Sequence, residues 1–271
     1  MKLYDCCMYF DEDLMLDLRL NTLNKHVDKF VIAEATREHS GKEKKLNFDI
    51  KKFSKFKDKI IYLIIEDLPI NVVSKKKNWT PNHWRDQYQR NALRRGFKEC
   101  DENDLIMISD IDEIPNLKKL TEFKVKNKYA CFLQKNFQSK LNLQNITDTY
   151  WMGTKICQKK YLKSPQWLRN IKTKKRPFWK FYKPKEPQLI LDGGWHFSFL
   201  KKPKDIAKKI KAYSHQEFYK DEFVDEKKIS ERINNNVDLF DRNIVYKKVE
   251  LDKSFPEYVF NNKDFFKEWI I

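Results

Sequence analysis

No stretch of this 271-residue sequence approaches the roughly 20 consecutive apolar residues that a membrane-crossing helix needs. The opening segment meets acid at Asp5 and has no long apolar run of the kind a secretory signal carries. Neither secretion by that route nor anchoring is therefore expected. No C-x-x-C pair is present. Cys6, Cys7, Cys100, Cys131 and Cys157 are odd in number, and only the first two are adjacent. That pattern excludes a zinc ribbon or dithiol redox centre and fits reduced apolar core thiols in a cytoplasm. The chain also lacks internal repeats and Gly/Ser-rich linkers, so a single domain is the simplest expectation.

What is abundant is lysine. The net charge is +17 with a pI near 9.4, which raises the question of nucleic acid. The lysines are spread along the chain and are not interleaved with aromatics in one stripe, so nucleic acid is not the expected partner. The same charge suits a nucleotide diphosphate, an acidic glycan or peripheral contact with a membrane surface. Hydrophobic residues make up 41% and aromatics 14%, enough for a sizeable core and too much for disorder.

The first half alternates strand and helix signals. Leu3 to Phe10, Lys29 to Ala35, Lys59 to Ile65 and Asp104 to Ser109 are short apolar runs. Helical spacing marks Asp11 to Asn24 and Trp84 to Lys98, and Thr36 to Asn47 is polar and loop-like. Such alternation predicts a doubly wound α/β sheet, with ligands beyond the carboxyl ends of its strands. Strands are expected at Tyr129 to Lys140, Tyr150 to Leu162 and Gln188 to Leu200, and helices around Pro203 to Tyr219 and Glu226 to Phe240.

The strongest local signal is Asp104-Leu-Ile-Met-Ile-Ser-Asp-Ile-Asp-Glu-Ile-Pro115. A buried strand runs into Asp110, Asp112 and Glu113, and Pro115 ends it. In extended chain, residues two apart face the same way, so Asp110 and Asp112 should point together and Glu113 oppositely. Paired carboxylates call for a cation between them, and Mg²⁺ or Mn²⁺ shared with diphosphate oxygens meets that need. The alternative is a solvated acidic turn. A phosphatase of the haloacid dehalogenase type also begins D-x-D on a strand, but on its first strand and followed by Thr or Val.

A second signal is Asp192-Gly-Gly-Trp-His-Phe-Ser198. Paired glycines permit close backbone approach. Trp195 offers a sugar-stacking face, and His196 a metal or phosphate contact; a strand end with both residues in the core is the plainer possibility. A third group is Glu34 inside an apolar strand, Arg37, and the helical stretch holding Gln87, Gln89, Arg90 and Asn91, where Arg90 is suited to a bidentate phosphate contact.

In order along the chain, Asp17-Leu-Arg-Leu-Asn21, Val27 to Ala35, Gly41-Lys42, Gln89-Arg90-Asn91, Ser109 to Pro115, Gly193 to Ser198, His215-Gln-Glu217, Asp238-Leu-Phe240 and Arg242 resemble glycosyltransferase family 17. This is the family of β-1,4-mannosyl-glycoprotein β-1,4-N-acetylglucosaminyltransferases. The resemblance spans roughly residues 1 to 262.

It implies a GT-A-like, Rossmann-related α/β domain with a mostly parallel central sheet and a helical C-terminal part. Residues up to about 125 would form the nucleotide-sugar half and the remainder the acceptor half. It further implies a UDP-sugar donor, a divalent metal and inversion of the sugar, with N-acetylglucosamine the inherited sugar and a glycan or lipid-linked glycan the acceptor. Asp110, Asp112 and His196 are the expected metal ligands. Glu34, Arg37, Gln89, Arg90, Asp110 and Trp195 are the expected donor contacts. Glu113, Asp192 and Glu217 are the carboxylates from which a base would come, with Glu113 preferred for its place beside the metal. A metal-dependent phosphohydrolase or nuclease, and a non-catalytic glycan binder, use the same residues differently and stay open at this point.

Overall fold

The computed structural model describes residues 1–72, 79–174, 179, 184–212 and 220–271. Its first half contains strands β1 (Leu3–Met8), β2 (Lys29–Ala35), β3 (Ile60–Ile65) and β4 (Leu105–Ser109), and helices α1 (Asp13–Leu23) and α2 (Pro81–Ala92). Adjacent strands in the order β4-β1-β2-β3 pair in parallel. All five residues of β4 are buried, as a strand covered on both faces requires. The side chains divide by parity: Leu3 and Cys7 enter the core under α1, while Tyr4 and Cys6 enter the core under α2. The result is a helix–sheet–helix sandwich.

The second half adds β5 (Glu113–Pro115), β6 (Tyr129–Gln138), β7 (Leu143–Asn145), β8 (Tyr150–Gln158), α3 (Pro165–Asn170), β9 (Gln188–Ile190) and β10 (Gly194–Ser198). Helices α4 (Pro203–Ala212), α5 (Asp221–Val224) and α6 (Glu226–Asn234), strand β11 (Tyr246–Lys248) and helix α7 (Glu257–Asn261) follow. All eleven strands among the described residues join one sheet. Strand β8 sits antiparallel between β4 and β6, and β10 pairs in parallel with β6 and antiparallel with β5. The sheet is therefore mixed, parallel throughout only in the β3-to-β4 part, because β7 and β8 both run antiparallel to β6 and β8 runs antiparallel to β4.

The expected strand Gln188 to Leu200 is broken in two. Asp192 takes a left-handed φ of 46° and Gly194 a φ of 132°, which turns the chain between β9 and β10. The helix expected from Glu226 to Phe240 ends at Asn234, near Asn236 with φ 56°. The one expected from Pro203 to Tyr219 is helical through Ala212, and 213–219 lie outside the described residues. Helices α4 to α6 share a small core of their own around Ile206, Ile210, Phe223 and Ile229. All five cysteines are free and buried, and burial pushes the Cys7 thiol up to about 12. Among the described residues, no helix is long and apolar enough to cross a membrane.

Candidate active site

Strand β4 delivers the chain to a tight turn at the carboxyl edge of the sheet. The Glu113 amide donates to Asp110 O at 3.1 Å, and the Asp110 amide donates to Glu113 Oε2 at 3.0 Å. Below the turn lies Arg19 of α1, fully buried. Its Nε and Nη2 donate to Asp5 at 2.7 and 2.6 Å, and its Nη1 donates to the carbonyls of Asp110, Ile111 and Glu113 at 3.2, 3.4 and 2.7 Å. The expected arrangement, with Asp110 and Asp112 pointing together and Glu113 away, is thereby corrected. Strand geometry ends at Ser109, and the turn sends Asp110 and Glu113 to one partner and Asp112 to another.

That shared partner is Arg169 of α3. Its Nη2 donates to Asp110 Oδ2 and Glu113 Oε1, both at 2.9 Å, and its Nη1 donates to Glu113 Oε2 at 2.8 Å. Arg90 of α2 donates to Asp110 Oδ1 at 3.1 Å and is itself gripped by Asp86 one helical turn back. Burial alone would raise the Asp110 pKa, but the guanidiniums of Arg169 and Arg90 outweigh it and hold the carboxyl well below the usual range. Glu113 is wholly buried and also accepts from Trp151 Nε1 at 2.6 Å. Lys155 fixes the end of α3 by donating to the carbonyls of Arg169 and Ile171, and burial brings its ammonium down to about 8.

Asp112 faces His196 of β10, with Oδ1 3.8 Å from Nε2. Asn136 settles the imidazole tautomer. Its amide nitrogen donates to Asp148 O, so its Oδ1, 3.0 Å from His196 Nδ1, takes the proton carried there. The other ring nitrogen, Nε2, faces Asp112. The Trp151 ring stacks on the imidazole at 4.6 Å and 17°, with 40% of the residue exposed. Lys209 of α4 approaches the other oxygen of Asp112 to 3.7 Å.

Between the ends of β1, β2 and β4 and the side of α2 lies a cleft. Arg37, Gln89, Arg90, Asp110 and Asp112 all line it, with Glu12, Lys44 and Lys209. Gln89 also ties α2 to the sheet by donating to Ala33 O at 2.9 Å, and Arg37 pairs with Glu43. Three expected residues sit elsewhere. Glu34 is fully buried under the 36–48 loop, accepting from the amides of Asn47 and Phe48, Tyr62 Oη and Lys44. Trp195 packs in the core and donates to Ser254 O at 3.1 Å. Asp192 is exposed at a second groove, lined by Asn116, Trp195 and Lys253. Glu217 lies outside the described residues.

Sequence reasoning passed over Glu12, Arg169, Asn136 and Lys209. Glu12 precedes α1 and reads as an ordinary acid of a helix's first turn. Arg169, Asn136 and Lys209 carry no local signal, since their partners are brought to them only by the fold.

The chain belongs to glycosyltransferase family 17, whose sequence profile matches residues 1–248. Membership supports glycosyl transfer as its activity. No curated protein matches it. Among solved structures it is similar to a galactosyltransferase, LgtC, crystallised with donor and acceptor sugar analogues, at 11% identity and a TM-score of 0.31. That match covers 59% of this chain and 59% of LgtC. An inositol-1-phosphate CTP transferase from T. maritima matches at 9% identity and a TM-score of 0.34, covering 100% of this chain and 98% of that one. Likeness at this level carries no weight for function.

Proposed function

We propose that this chain moves a sugar from a UDP-sugar to a glycan hydroxyl with the help of a divalent cation, Mn²⁺ or Mg²⁺, held by Asp112 and His196. N-acetylglucosamine is the sugar the family resemblance implies. The observation that carries the reading is the 3.8 Å approach of His196 Nε2 to Asp112 Oδ1, an oxygen-bearing edge of the cleft that Asp112 lines. Neighbouring donors that share an ion at about 2.1 Å each stand about 3 Å apart, so a small side-chain rotation would bring this pair onto one cation. Among the described residues, no cluster of three or more His, Cys, Asp or Glu is placed to cage a metal. A site with few protein ligands suits a cation that takes most of its remaining oxygens from substrate phosphates and water.

When bound, such a cation stabilises the charge that develops on the departing nucleotide diphosphate. The chain's own residues do the rest. Arg37, Lys44 and Arg90 place positive charge along the cleft where the nucleotide phosphates would lie. Asp110 and Glu113, linked through Arg169, hold the turn that directs Asp112 toward His196. The half-exposed Trp151 indole, its N–H already spent on Glu113, offers a rigid face for a sugar ring. Glu113 is poorly placed as a base, since its oxygens are taken by Arg169, Trp151 and the Asp110 amide.

The test is direct binding of UDP-, GDP- and CMP-sugars with Mn²⁺ and with EDTA, to wild type and Asp112→Ala. Metal-dependent binding of a UDP-sugar that Asp112→Ala abolishes is the expected result. If no nucleotide-sugar binds under any metal condition, the proposal fails.

A further inference from the structure

One cation already stands at this site. Lys209 projects from α4 with its ammonium 3.4 Å from Glu12 Oε1 and 3.7 Å from Asp112 Oδ2, and its side chain is only 14% exposed. It does not arrive alone. Lys208, its neighbour on α4, pairs with Asp11 Oδ2 at 2.9 Å. Lys201, just before the helix, pairs with Asp11 and lies 3.8 Å from Glu12. The helical C-terminal part is thus fastened by three lysines to the acidic end of β1 and to the turn after β4. Ile206 and Ile210 pack into the small core shared with α5 and α6, which fixes how α4 is turned toward the cleft.

The charge balance has a consequence for loading. Asp110 is matched by Arg90 and Arg169, and Asp112 and Glu12 share the Lys209 ammonium. A bare divalent ion approaching Asp112 and His196 therefore meets a carboxylate already neutralised and a positive charge within a few ångström, at a partly buried position where screening is weak. A nucleotide diphosphate alters that balance by bringing its own negative oxygens into the cleft. The four-carbon stem of lysine lets its ammonium swing from one acceptor to another without moving the helix.

We infer that Lys209 neutralises Asp112 in the nucleotide-free protein and passes to the donor diphosphate when the metal binds, so that metal and diphosphate load together and the metal alone is excluded. The inference rests on the metal-dependent donor site proposed above. It makes Lys209 a positioning residue that couples α4 to donor binding.

The experiment is Mn²⁺ binding, followed by the electron paramagnetic resonance of free Mn²⁺ and by calorimetry, with and without UDP. It compares wild type, Lys209→Met and Lys209→Arg. Wild type should bind Mn²⁺ weakly alone and at least tenfold more tightly with saturating UDP. Lys209→Met should bind Mn²⁺ alone at least tenfold more tightly than wild type and should bind UDP more weakly, while Lys209→Arg stays near wild type. Lys209→Gln serves as a second neutral variant if methionine disturbs α4, with folding checked by circular dichroism. If wild type shows the UDP-linked gain but neither neutral variant tightens Mn²⁺ binding without UDP, this inference is wrong and the donor-site proposal stands. If no form binds Mn²⁺ even with UDP, the donor-site proposal fails and takes this inference with it.

Discussion

Arg19 Nη1 donates to the Glu113 carbonyl at 2.7 Å across 94 positions of sequence. The rest of its guanidinium is enclosed by Asp5, so one buried cation joins β1, α1 and the turn that carries Asp110 and Asp112. Removing one partner of such a pair leaves an uncompensated charge in the core, which costs about 3–5 kcal/mol. Asp5→Asn should lower the stability by that order in urea unfolding, with Asp112 geometry and metal binding lost well before global unfolding. A loss under about 1 kcal/mol would show that water or another acid takes over from Asp5.

Arg169 raises a different question, because it touches side chains of the turn and no main chain there. Lysine cannot span two carboxylates as the planar fork does. Arg169→Lys should therefore leave Asp110 or Glu113 short of a partner and weaken UDP binding in the presence of Mn²⁺ by ten- to a hundredfold. The measurement is calorimetric titration of UDP at fixed Mn²⁺. Unchanged affinity would place Arg169 in the scaffold alone.

Glu12 supplies a pH signature. Burial disfavours its ionised form, yet Lys209, Lys201 and the amides of Phe10 and Asp11 bring its pKa from 4.5 down to about 2. Because the folded value is the lower one, the ionised group stabilises the fold above the unfolded pKa. That stability drains away as pH falls from about 4.5 toward 2. A shift of this size is worth roughly 3 kcal/mol. Glu12→Gln should be less stable than wild type by about that much at pH 7, and the two urea midpoints should converge as the pH approaches 2.5. A gap that persists undiminished in acid would mean the loss is one of packing.

The parallel half of the sheet could be read from sequence because its signals are local. The apolar runs of β1, β2, β3 and β4 need nothing outside themselves to declare a strand, and observed bounds differ from expected ones by a residue or two. Arg37, Gln89 and Arg90, donor contacts that the family resemblance implies, line the cleft. Trp195 and Asp192 could not be placed in the same way. Pleating sends Trp195 and His196 to opposite faces of β10, and only the pairing of β10 with β5 and β6 decides which face meets Asp112. Glu34 looked like a site acid for being charged inside an apolar strand, but that burden is met by four donors from the 36–48 loop and Tyr62. Arg169 and Lys209 gain their meaning from contacts made 56 or more positions away, which no local pattern encodes.

Gly194 sets the register on which His196 depends, and its substitution tests that dependence. Its φ of 132° lies where side chains are strained, and a Cβ there would stand 2.1 Å from Ile114 O and 2.8 Å from Asn116 N. Both are main-chain atoms of the β5 segment, so neither can rotate aside as a side chain would. Gly194→Ala must push β10 away from β5, two residues from His196, and the combined strain should cost more than about 2 kcal/mol. Mn²⁺ binding in the presence of UDP should fall further than that loss of stability explains, because the Asp112–His196 separation is set by the β5–β10 pairing, in which His196 lies opposite Glu113. The check is to measure Mn²⁺ affinity at a temperature where circular dichroism shows the variant fully folded. Wild-type affinity under those conditions would mean that the pairing can yield without moving His196 from Asp112.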